Sequence, residues 1–170
     1  MFHLGTIIVL TVMVKTVEGA NVSQNAEKIE DAIFKPIYTN DVFNAERVKS
    51  LSSANIKFAV DVYKNQARAT DGNIFFSPLS ISVALGMTYL GARAETKSQM
   101  KQVLHFSDVE EDHLHQTFAD IQSALNKPEQ PYKLYTANRL FADKSYKILD
   151  EFLAAGRKYY AADLEPVDFR

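Results

Sequence analysis

An α+β fold is what this sequence predicts, and three observations carry it. Apolar residues recur at helical spacing in several separate stretches, so helices dominate. One stretch, 132–142, instead carries apolar residues on both alternating faces. That is the pattern of a strand inside a covered sheet. Finally, only six glycines and five prolines occur in 170 residues, about half the usual share, which argues against a turn-rich all-β sandwich.

Composition narrows the class further. Lysine and arginine number 19 against 21 aspartates and glutamates, for a net charge of −2. A basic footprint is absent, so no nucleic acid partner bound through many phosphates is expected. Cysteine is absent too. This excludes disulfides, thiolate metal sites and a cysteine nucleophile, and the fold must hold by its core.

The first residues read as an export leader. Leu4 to Val14 is uncharged and rich in Ile, Val, Leu and Met. It is too short for a bilayer, which needs roughly 20 residues, and suits the core of a signal peptide. Cleavage after Gly19 places Val17 at the −3 position. The expectation is a secreted, extracellular protein with a leader over 1–19, an extension over 20–50 and one domain portion over 51–170, with no membrane span. Asn21-Val22-Ser23 is a candidate glycosylation sequon.

Each element then follows in order. Residues 21–50 lack a clean period and read as a tail or short irregular helix. From Ser52 or Ser53, either of which suits an N-cap, Phe58, Ala59, Val62 and Tyr63 form one apolar helical face, closed by Asp71-Gly72. Residues 73–76, Asn-Ile-Phe-Phe, suit a brief buried strand. Ser77-Pro78 is a strong helix start, since Ser77 can cap and Pro78 has no N–H to waste at the first position. The helix runs through Ile81, Leu85 and Tyr89 to Gly91, apolar on both sides and hence deeply buried. Glu95 to Leu104 predicts a short polar helix with Met100, Val103 and Leu104 facing inward. Leu114, Phe118, Ile121 and Leu125 mark an amphipathic helix whose acidic start at Glu110 to Asp112 suits the helix dipole, stopped by Pro128 and Pro131. After the 132–142 strand, Leu149 to Tyr160 is helical, and Asp163 to Phe169 is extended, with Pro166 suited to an edge. The two late strands find no evident partners within 170 residues, so further chain is expected.

No chemistry-bearing motif stands out. Ser98-Gln-Met-Lys101 matches a Ser-x-x-Lys pattern but lacks its companions, and reads as a solvated helix face. His113 and His115 point about 200° apart on a helix, unlike i, i+4 metal ligands. Asp108 to Asp112 lacks the glycine and terminal glutamate of a calcium loop. Arg93, Lys97 and Lys101 read as ordinary surface charge and give little support to a polyanion site. Neither metal nor cofactor is expected, and catalysis has no supporting constellation.

Asn73-Ile-Phe-Phe76-Ser77-Pro78-Leu-Ser80-Ile, continuing through Leu85, Gly91, Thr96 and Gln99, closely resembles the signature of the serpin family. Residues 136–141, containing Asn138, and residues 159–169 resemble a strand of its large sheet and the edge strand beyond. The resemblance runs from about Ser52 to Phe169 and leaves 21–50 uncovered. It implies the N-terminal portion of a serpin fold, helices packed around the start of a large mixed sheet.

By the same resemblance, function is suicide inhibition of a serine protease. The protease attacks an exposed reactive loop, which then inserts as a new strand of the sheet. Ser77 and Ser80 would sit in a hydroxyl cluster, the shutter, beneath the opening sheet. Family members are more than twice this long, and the hinge, reactive loop and scissile bond have no counterpart here. Alone, the chain is expected not to inhibit, and its open strand edges are expected to promote association. The alternatives are a non-inhibitory serpin with a carrier, storage or chaperone role and, further off, a small secreted helical binding module. The target protease is not legible, because specificity lies in the loop.

Overall fold

The computed structural model describes residues 13–15, 44–127 and 135–169. The sequon at Asn21 and most of the expected leader and extension lie outside them. The elements are β1 (Met13–Lys15), α1 (Ala45–Ala69), α2 (Pro78–Gly91), α3 (Ala94–Val103), a 3-10 turn (Phe106–Asp108), α4 (Glu111–Leu125), β2 (Tyr135–Ala137), β3 (Arg139–Asp143), α5 (Asp150–Tyr160) and β4 (Asp163–Val167). They form two compact units, Asn44–Phe118 and, with the N-terminal residues, Ala119–Arg170, the boundary falling within α4. Among the described residues no helix is long and apolar enough to cross a membrane.

In the Asn44–Phe118 unit, α1 starts earlier than Ser52. Asn44 caps it, its Oδ1 accepting from the backbone N–H of Glu46 (3.0 Å) and Arg47 (3.3 Å). Those N–H groups have no partner inside the helix, so a side-chain acceptor there fixes the start. Leu51, Ala54 and Phe58 form the buried face. Toward the 3-10 turn, α1 makes pairs from Lys57 to Asp108 (3.0 Å) and from Asp61 to His105 (2.8 Å). Such exposed pairs contribute about 0–1 kcal/mol each.

The expected strand over 73–76 does not form. The segment takes no regular secondary structure, and Phe75 is fully exposed. A strand needs a neighbour for its N–H and C=O groups, and an apolar run supplies none. The helix after it follows the prediction closely. α2 begins at Pro78 behind the Ser77 cap, and Val83, Met87 and Tyr89 are buried. Buried Ser82 is satisfied by donating to Asn55 Oδ1 at 2.7 Å. Gly91 is the last helical residue rather than a left-handed stop, and Ala92 caps instead, its N–H bonding Thr88 and Tyr89 carbonyls.

α3 corrects one inward assignment: Leu104 is buried but Val103 is 61% exposed. The helix ends there. His105 takes a left-handed conformation (φ 56°, ψ 30°), and the chain turns so that Phe106 enters the core. Leu114, Thr117 and Phe118 are the buried positions of α4.

In the Ala119–Arg170 unit, the long strand is broken in two at Asn138. β1 pairs antiparallel with β2 (Met13 opposite Ala137), and β3 pairs parallel with β4 (Leu140 opposite Leu164). α5 links the parallel pair, which no tight turn could do. Leu140 and Ala142 are buried, whereas Arg139 is exposed and Phe141 half-buried on the other face. The two-sided cover that the sequence predicts is thus complete on one face. α5 ends with Ala161 in the left-handed region (φ 48°), its N–H bonding the Arg157 carbonyl, a conformation costing a non-glycine residue roughly 1–2 kcal/mol.

Candidate functional site

The N-terminus of α2 gathers the hydroxyls singled out in the sequence. Ser77 is extended (φ −106°, ψ 103°), and its Oγ accepts from the Ser80 N–H at 3.3 Å. The same Oγ donates to Ser80 Oγ at 2.8 Å. The two side chains therefore form one joined pair one helical turn apart, and Pro78 at the first position presets the helical φ. Ser77→Ala is expected to cost about 1 kcal/mol, the usual loss for an N-cap, read as a lower urea midpoint. An unchanged midpoint would refute the capping role.

The other signature positions are spread out. Asn73, Gly91 and Thr96 are exposed, and Phe76 and Leu85 are half-buried. Asn138 lies in the other unit, where it works as a bridge. Its Nδ2 donates to Gln122 Oε1 (2.5 Å) and to the Tyr160 carbonyl (3.2 Å), tying the strand break to α4 and to the end of α5. Beside it Asn126 donates to Thr136 Oγ1 (2.7 Å) and accepts from the Thr136 N–H (3.2 Å).

A charged cluster that the sequence did not disclose centres on Glu111. Its carboxylate takes Lys97 at 2.6 Å, Lys101 at 2.5 Å and the Tyr89 hydroxyl at 3.0 Å. Bonds from the Lys101 and then the Lys97 ammonium hold its pKa down at about 2. The Tyr89 phenol is pushed well above the ordinary tyrosine range by burial and then by Glu111. Lys97 also lies 5.3 Å above the Tyr89 ring, and the His115 ring is 6.1 Å from the same ring. Burial first, then the Lys97 charge, lowers the His115 pKa to about 4. Arg93 instead donates to the Leu90 (3.2 Å) and Ala92 (2.8 Å) carbonyls at the end of α2, where the helix dipole favours a cation. Lys97 and Lys101 thus share Glu111 while Arg93 serves the end of α2, so the three do not act as one patch. His113 instead faces Glu110 at 3.6 Å. Among the described residues, no three His, Asp or Glu side chains gather as a metal site.

Comparison with known proteins follows the same residues. The family model described as Serpin (serine protease inhibitor) matches residues 53–170. Leukocyte elastase inhibitor of Bos taurus is 47% identical over 123 residues, covering 72% of this chain and 32% of that protein. Serpin B3 of Homo sapiens is 39% identical over 136 residues, covering 72% and 35%. The solved structure of ovalbumin from emu, Dromaius novaehollandiae, superposes with a TM-score of 0.66 at 34% identity, over 71% of this chain and 34% of that one. The chain therefore spans about a third of the length of these relatives.

Proposed function

This chain belongs to the serpin family, and from that premise we propose that it is the N-terminal portion of a secreted serine protease inhibitor. The whole protein acts as a suicide substrate. A protease serine attacks a reactive-loop carbonyl, the peptide C–N bond breaks with its amine leaving protonated, and the loop still esterified to the serine inserts into the large sheet before hydrolysis releases the protease. The reactive bond lies outside these residues, and the chain alone does not inhibit. The observation that carries this reading is the 47% identity to an elastase inhibitor over 123 residues. In it the joined Ser77–Ser80 pair forms part of the shutter under the moving strands.

Secretion rests on the uncharged run Leu4 to Val14. Cleavage after Gly19 removes β1 and leaves the edge of β2 that it pairs with open. Among the described residues β3 pairs on one edge only, with β4. Open edges of this kind support association of the chain with itself.

Incubating the full-length protein with elastase-like and trypsin-like proteases is expected to yield a complex that survives denaturing gels. Loop cleavage without a complex would overturn inhibition and favour a carrier, storage or chaperone serpin. Sedimentation of the present chain is expected to show mass rising with concentration. A constant monomer mass refutes the association.

A further inference from the structure

We propose that a half-open hollow in the Ala119–Arg170 unit binds a small amphipathic carboxylate, with its charged end on Lys158. The cavity holds about 780 Å³ and lies between the second half of α4, the β2–β3 strand and the end of α5. That size falls within the roughly 300–1,000 Å³ of small-molecule sites. Ala119, Ala137, Phe141, Tyr160 and Ala161 give it apolar wall.

The amides on the wall are engaged with neighbouring polar groups. Asn138 is bonded to Gln122 and Asn126 to Thr136. An apolar body can therefore lie against them without stripping a partner from a buried amide, the change that costs most. The charged groups are mostly matched as well. Arg139 pairs with Glu165 at 2.7 Å, and Asp163 with Arg157 at 3.0 Å. Lys158 is the exception. Its ammonium lies 4.6 Å over the Tyr159 ring and donates to the Tyr159 hydroxyl at 3.0 Å, and no salt bridge to a carboxylate is formed among the described residues. One unmatched cation beside an apolar hollow selects a single negative charge joined to an apolar body. A neutral ligand gains nothing from Lys158, and a cation is repelled by it.

Calorimetry of the chain with decanoate, and with 1-decanol as its neutral counterpart, tests this. One decanoate per chain is expected to bind. Lys158→Gln is expected to weaken decanoate about fivefold, the scale of a partly exposed ion pair, and to leave 1-decanol unchanged. Ser123→Trp, at an exposed position on the cavity wall, is expected to fill the hollow and remove both, with the circular dichroism spectrum retained. Absence of one-to-one decanoate binding overturns the proposal. So does equal decanoate affinity in the parent and Lys158→Gln, which decides the matter even where the tryptophan variant fails to fold.

Discussion

Truncating Phe118 to alanine is expected to lower the stability of the Asn44–Phe118 unit by about 3–5 kcal/mol, the range for a buried phenylalanine. Phe118 is 1% exposed and packs in a run of edge-on rings. It meets Phe106 edge-on, with centroids 6.1 Å apart at 72°, and Phe106 meets Tyr89 the same way at 5.5 Å and 74°. Edge-to-face contacts add about 0.5–1.5 kcal/mol each beyond the area they bury. The three rings come from α2, the 3-10 turn and α4, so the contact is what holds the turn against the helices. A loss of this size is a large share of the roughly 5–15 kcal/mol that holds a domain. Urea unfolding followed by tyrosine fluorescence reads the effect, since the chain has no tryptophan to dominate the signal. Phe75→Ala is the control. Phe75 is fully exposed, so its truncation should change stability by no more than about 0.5 kcal/mol. Comparable losses in the two variants would mean that burial does not rank these rings.

What the sequence disclosed, and what it hid, divides by range. Helix α2 was legible because its signals are local: Ser77 as cap, Pro78 at the first position, and apolar residues on every side through Tyr89. α1 was legible in kind but not in extent. Asn44 is as good a cap as Ser52, but the weak apolar period between them concealed the first two turns. The strand expected at 73–76 failed for a different reason. Its residues suit a strand, but strand formation depends on a partner that local pattern does not contain. The Glu111 cluster was hidden by distance. Lys97 and Lys101 look like solvated surface charge, and Glu111 looks like a dipole-favoured helix start. Only the left-handed turn at His105 brings α4 back beside α3 and makes these charges one group. Asn138 shows both sides. The family signature marked it, but its bonds to Gln122 and Tyr160, 16 and 22 residues away, explain why the strand breaks there.

The same cluster sets how the fold responds to acid. The pKa of His115 is lowered from 6.5 to about 4, by burial first and then by Lys97, with Glu111 opposing. Among the groups facing it are the Tyr89 ring, the Lys97 ammonium and the Glu111 carboxylate. Because its folded pKa lies below its unfolded one, the unfolded chain binds more protons between pH 6.5 and 4. Stability therefore falls as pH drops through that window and is unaffected by this group above it. At about 1.4 kcal/mol per unit, discounted because the ring is only partly buried, the loss is about 2 kcal/mol. Glu111 acts lower. Its pKa falls from 4.5 to about 2, so its contribution is present above pH 4.5 and disappears toward pH 2. Its side chain is 36% exposed, which keeps each of its ion pairs to about 0.2–1 kcal/mol. The two losses thus occur in nearly separate windows and can be removed separately. Urea midpoints taken from pH 7 to pH 3 are expected to show His115→Gln flattening the slope between 6.5 and 4 while keeping the lower fall. Glu111→Gln should remove the lower fall and, by taking away the charge that raises the His115 pKa, keep or steepen the upper one. A His115→Gln profile that parallels the parent through the upper window would place the proton uptake elsewhere and sink the assignment to this ring.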